Sequence, residues 1–165
     1  MKVSHMTLVT ISGLVWLAVG AFLLPFGLHL MMASAFEANL GTHYPLFSLV
    51  SDLTGNAEQA ALFITALCLF IGYLKGSRVL SKSVHRSIVR IRQLPSPASL
   101  GRIYSPGYYL LLGGMIAIGM SIKFFGLSED IRGAVDIAVG VALINGAMLY
   151  FREAYALRPV KVKAD

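Results

Sequence analysis

The chain alternates between long runs of apolar residues and short polar punctuation, and each run is too long and too uniform for a soluble core helix. The first run extends from about Thr7 to Met32, the second from Ala57 to Leu74, the third from Pro106 to Leu127 and the fourth from Gly133 to Phe151. A bilayer core of roughly 30 Å takes about 20 apolar residues in helical form, so each run predicts one transmembrane span. Pro106 suits a helix start, where its missing N–H costs little. Pro25 lies inside the first run and is expected to kink that helix or end its regular part. The fold class expected is all-α: an integral membrane four-helix bundle, with residues 1–165 forming a single four-span domain.

Between the second and third runs the pattern changes. From Lys75 to Arg92, basic residues recur at three- and four-residue steps as Lys75, Arg78, Lys82, Arg86 and Arg90, while Leu80, Val84, Ile88 and Ile91 fall on the other side. No acidic residue interrupts the stretch. This spacing predicts a basic amphipathic helix, either lying on an anionic membrane surface or continuing the second span until Pro95 and Pro97 end it. The five basic residues of the stripe are candidate contacts for anionic lipid headgroups. RNA or DNA is not expected as a partner, because no aromatic side chains interleave with the charges.

Composition agrees with the span reading. Of 165 residues, 56% are hydrophobic and only 13% charged, against about 45–50% and about 25% in a soluble domain. The net charge of +6 is a topology signal. Lys2, the basic residues of segment 75–105, and Arg152, Arg158, Lys161 and Lys163 lie on one side of the four spans, and only Lys123 and Arg132 lie toward the other. The positive-inside rule then places both termini and the basic segment in the cytoplasm of a plasma or bacterial inner membrane. Ala33-Ser34-Ala35 has the form of a signal-peptidase site, but the run before it is longer than a signal peptide needs and only Lys2 precedes it. We therefore expect the first span to be retained.

Motifs for chemistry are sparse. Cys68 is a lone cysteine, His5, His29, His43 and His85 have no helical pairing, and no nucleotide-binding or metalloprotease signature occurs. No cofactor or metal is expected. An intramembrane enzyme would need a nucleophile or a carboxylate pair at one depth, and Asp136 stands alone, so catalysis is not expected. Asp136, Lys123 and His29 lie at similar depth near the outer ends of their spans, with a Lys123–Asp136 ion pair reasonable across the short turn from Ser128 to Arg132. Asn145 lies deeper, on nearly the opposite face of its helix, and is expected to bond to a neighbouring helix or subunit. The outer side also carries Glu37, Asp52, Glu58, Glu129 and Asp130, which would form an acidic vestibule. The apolar stretch from Tyr44 to Val50 is expected to lie in the interface or to cap the bundle.

Spans one and three share a weak repeat, Leu17–Leu28 against Ile116–Leu127, and Ile137-Ala138-Val139-Gly140 repeats its start. Gly72/Gly76, Gly113/Ala117, Ala142/Gly146 and Ala57/Ala61 are small-xxx-small pairs, which bring helices close within the chain or between copies. Two functions are compatible with these features. One is a homo-oligomeric transporter or channel for a small solute or ion. The alternative is a non-catalytic accessory or scaffold protein that contacts anionic lipid, or a cytoplasmic protein partner, through the basic helix.

Overall fold

A computed structural model describes residues 2–3, 5–93, 98–99 and 126–156. Within these residues the chain is helical apart from one two-residue pairing and the turns. Helix α1 spans His5–Asn39, α2 Pro45–Thr54, α3 Ala57–Lys75, α4 Ser81–Gln93 and α5 Glu129–Ala156. A π turn, Gly76–Leu80, joins α3 to α4 without a break, so residues 57–93 form one rod. Strands β1 (Lys2–Val3) and β2 (Ala98–Ser99) pair antiparallel, tying the chain before α1 to the chain after α4.

Three helices are long and apolar enough to cross a membrane: Met6–Asn39, Ala57–Val89 and Glu129–Ala156. They contain the first, second and fourth predicted spans. The third lies outside the described residues except for its end at Gly126 and Leu127, and with it Lys123, the Gly113/Ala117 pair and the repeat in Ile116–Leu127. The 35-residue α1 is about 52 Å long at 1.5 Å per residue, well beyond a hydrocarbon core of roughly 30 Å.

The expected interruption at Pro25 does not occur as a helix end. α1 runs through Pro25, which sits on an exposed face away from α5. A buried proline would have to displace a neighbouring helix, whereas an outward one only frees a carbonyl, which a long helix tolerates. The helix also continues past Met32 through residues expected to be loop. It stops where Gly41 takes φ +97°, with Thr42 N–H donating back to the Glu37 carbonyl at 3.1 Å. Gly55, at φ +84°, makes the matching turn between α2 and α3. A residue with a Cβ would be strained at either position.

The bundle is held by backbone-to-backbone contact. Gly13, Gly20 and Gly27 recur every seventh residue of α1, and Gly133, Gly140 and Ala147 do so in the antiparallel α5. A Cβ on Gly20 would stand 2.8 Å from the Gly140 carbonyl oxygen, and one on Gly27 would stand 2.8 Å from that of Gly133. A period of seven keeps these positions on one seam, as in a left-handed coiled coil. In lipid, where apolar burial does not drive helix pairing, such close approach gains dispersion and Cα–H···O contact instead. The third helix docks by the same means: a Cβ on Gly72 would lie 2.5 Å from the Ala138 carbonyl, and one on Gly76 would lie 3.0 Å from Ala142 Cα. Thus α3 runs parallel to α5, and the small-xxx-small pair Gly72/Gly76 works within the chain. The repeated Ala-Val-Gly tripeptides of spans one and four supply Gly20 and Gly140, the two glycines that meet at the crossing.

Two clusters of side chains close the ends. At one end Leu8, Val9, Val84, Ile88, Tyr150 and Ala154 pack around Trp16, whose ring makes an edge contact with Tyr150 at 5.6 Å. At the other end Tyr44, Phe47 and Val50 of the α2 region pack on Met31, Ala35, Ala60 and Ile64. The stretch from Tyr44 to Val50 is therefore helix over most of its length and caps the bundle, while Leu49 and Leu53 on its outer side stay exposed.

Candidate functional site

The polar residues fall into two groups, one at each end of the bundle. At the α2 end, most of the carboxylates are engaged. Asp130 is fully buried in the first turn of α5, where Oδ2 accepts the Leu46 N–H at 2.7 Å and Oδ1 accepts the Ile131 N–H at 2.8 Å. Leu46 follows Pro45 in the first turn of α2, which has orphan N–H groups to satisfy, so the Asp130 carboxylate pins the start of α2 to α5. Glu37 accepts a hydrogen bond from the Tyr44 hydroxyl. That bond, reinforced by burial and by the Glu37 charge, pushes the Tyr44 phenol up to about 12. Asn39 Nδ2 donates to Glu58 Oε1 at 3.2 Å, linking the end of α1 to the first turn of α3. Glu129 is exposed at the start of α5, and Asp52 lies in α2.

Asp136 is buried on the α1-facing side of α5, its Cβ lying 3.0 Å from where a Cβ on Gly27 would stand. One turn earlier, Arg132 places Nε 4.0 Å from Asp136 Oδ2 and its guanidinium 5.2 Å over the Phe26 ring. Among the described residues, the cation beside Asp136 is therefore Arg132. The pairing expected with Lys123 lies outside them. His29 does not join the group. It lies two residues beyond Gly27, about 200° further round α1, and is exposed on the opposite face.

Asn145 has a structural task. Its Nδ2 donates to the Tyr73 carbonyl at 3.2 Å, just before the π turn. The wider π turn disturbs the regular ladder, and side chains take up carbonyls around it: Ser77 Oγ donates to the Leu74 carbonyl at 3.1 Å. Asn145 thus bonds to a neighbouring helix, one of the two outcomes expected for it.

The other end carries the basic stripe. Lys75, Arg78, Lys82 and Arg86 are all exposed along the rod, and Arg90 lies in the last turn of α4. The apolar side of α4 is covered by protein, not turned toward lipid: Val84 and Ile88 are buried against α1 and α5. α4 therefore stands on the bundle and presents its charges outward from a fixed base. Between α4 and the end of α5 lies a groove of about 460 Å³, with Lys82, His85, Arg152 and Glu153 around it and Val84 and Ile88 along its floor. A second groove, of about 470 Å³, adjoins it at Arg152 and is lined otherwise by Met148, Phe151 and Tyr155. Arg152 and His85 did not emerge as site candidates from the stripe, because Arg152 belongs to another helix and only packing brings α4 beside it. The usable signal was that Arg152 directly follows the fourth apolar run.

Among the described residues, no group of three or more His, Cys, Asp or Glu side chains is placed to share a metal ion. The chain matches no known family, no characterised protein and no solved structure.

Proposed function

We propose that this chain is a non-catalytic membrane accessory or scaffold protein whose bundle holds a basic helical arm at an anionic membrane surface. One observation carries the reading: Val84 and Ile88 are buried in the bundle while Lys75, Arg78, Lys82 and Arg86 are exposed. The arm's charges thus stand on a base packed against α1 and α5. By the positive-inside rule this end is cytoplasmic, in a plasma or bacterial inner membrane, where anionic headgroups or an acidic cytoplasmic protein would meet it. The test is the lipid retained by purified protein. Wild type should retain anionic over zwitterionic phospholipid, and replacing Lys75, Arg78, Lys82 and Arg86 with Gln should reduce that preference severalfold. An unchanged ratio overturns the proposal.

A second reading, a homo-oligomeric transporter or channel, is favoured by Asp136, a carboxylate buried in a span beside Arg132. The glycine seams bring the described helices into backbone contact, which closes a path along those seams. Flux across vesicles that is lost in Asp136→Asn would support it. Absence of flux from reconstituted wild-type protein would end it.

A further inference from the structure

The two grooves meeting at Arg152 form a composite surface, with charge on one side and an apolar wall on the other. In the first groove Lys82 and Arg152 come from different helices, with His85 one turn beyond Lys82 and Glu153 beside Arg152. In the second, Met148, Phe151 and Tyr155 continue from Arg152 back along α5 and past its last apolar residues. Met148 and Tyr155 are largely exposed, and Arg152 follows the apolar run that reaches Phe151. The charged groove thus adjoins an apolar one that runs back along the end of the fourth apolar run.

We infer that this junction is a binding site for a single phospholipid, with a singly charged phosphodiester headgroup between Lys82 and Arg152 and an acyl chain against Met148 and Phe151. The inference rests on the anionic-surface reading above and deepens it by naming one site on that surface. Charge complementarity selects the headgroup. Arg152 offers a planar fork suited to phosphate oxygens, and Lys82 adds a point charge from the facing helix. Glu153 lines the same groove and is already engaged in an interaction of its own. Lys82 and Arg152 outnumber Glu153 among the charged side chains of the groove, a balance that suits an anionic headgroup. Neither groove is enclosed, as expected for a ligand that remains partly in the bilayer.

The experiment uses the full chain in neutral detergent, titrated separately with phosphatidylglycerol, phosphatidylcholine and inorganic phosphate, with bound adducts counted by native mass spectrometry. Wild type is expected to take up one phosphatidylglycerol in preference to the other two. The pair Lys82→Gln/Arg152→Gln should weaken that uptake by at least about tenfold, each cation near an anionic head being worth about fivefold. Arg78→Gln/Arg86→Gln, which removes two charges of the same arm outside the groove, should weaken that uptake clearly less than the groove pair does, as general attraction to an anionic head predicts. Met148→Gln, which leaves every charge in place, should weaken lipid uptake severalfold. Equal losses in the two charge pairs, or no loss in the first, would overturn the site while leaving the anionic-surface reading standing. No preference for phosphatidylglycerol in wild type would remove both. Phosphate binding as well as the lipid would show a free-anion site and overturn the lipid assignment. All these side chains are largely exposed, and unchanged helicity in each variant checks that the fold survives.

Discussion

Among the described residues, the two ends of the bundle use their polar side chains in opposite ways. At the α2 end the polar groups face one another: Asp130 holds the start of α2, Glu37 takes the Tyr44 hydroxyl, and Asn39 reaches Glu58. At the basic end Lys75, Arg78, Lys82 and Arg86 point outward, and the closure is made by apolar side chains around Trp16. A carboxylate that is fully buried and accepts two N–H groups, as Asp130 does, is closed to a solute. A lysine exposed on an apolar-backed helix keeps its charge for a partner. The difference teaches that the charge of a membrane face and its availability for binding are separate quantities. The first can be counted along the chain, and the second depends on which groups already have partners.

The contrast can be broken most severely at the seam on which both ends depend. Gly140→Leu places a large side chain where even a Cβ would lie 2.8 Å from the Leu24 backbone nitrogen, so α1 and α5 must separate. Overpacking of this kind costs about 1–3 kcal/mol in an adaptable core and more where backbone meets backbone. We expect loss of the folded bundle in detergent, read as a collapsed thermal transition. Next in size is Asp130→Ala, which leaves the Leu46 N–H without its acceptor and should cost about 2 kcal/mol. Because the loss is local to α2, limited proteolysis within residues 40–56 should accelerate while α1 and α5 stay protected.

A smaller effect tests whether the Tyr44–Glu37 bond adds to the α2 end. The Tyr44 phenol is raised from 10.0 to about 12 in the folded protein. Its contribution is therefore fully present below pH 10 and is lost as pH rises from 10 through 12. Tyr44→Phe should destabilise by about 1 kcal/mol at neutral pH, and the difference from wild type should vanish toward pH 12. A difference that persists unchanged at high pH would assign the effect to packing instead. The smallest effect is predicted at the opposite end: Arg78→Gln/Arg86→Gln should alter stability by no more than about 0.5 kcal/mol, since both side chains are exposed. A large loss there would erase the distinction between the two ends.

Much of the candidate site was visible along the chain in outline. The three-and-four spacing of Lys75, Arg78, Lys82 and Arg86 predicted one helix face, and that face is what the rod exposes. The continuation of the second span through Gly76 was readable too, because no proline intervenes before Pro95. Less visible was the cover over Val84 and Ile88. An amphipathic helix has the same pattern whether its apolar face meets lipid or protein. The α1–α5 seam left a trace in the seven-residue spacing of Gly13, Gly20 and Gly27, which is easily missed beside the shorter small-xxx-small pairs.

The order of apolar runs, their sufficiency to cross a bilayer and the sorting of the basic residues were determined by the sequence itself, because each depends on local transfer energy summed over neighbouring residues. Helix rotation and pairing are not local sums. They decide that Asp136 turns toward α1 while His29 at similar depth turns away, that Asp130 is consumed by α2, and that Arg152 comes to stand beside Lys82. Only the tertiary structure settled these, since each relation joins residues whose separation along the chain carries no information about the face they share.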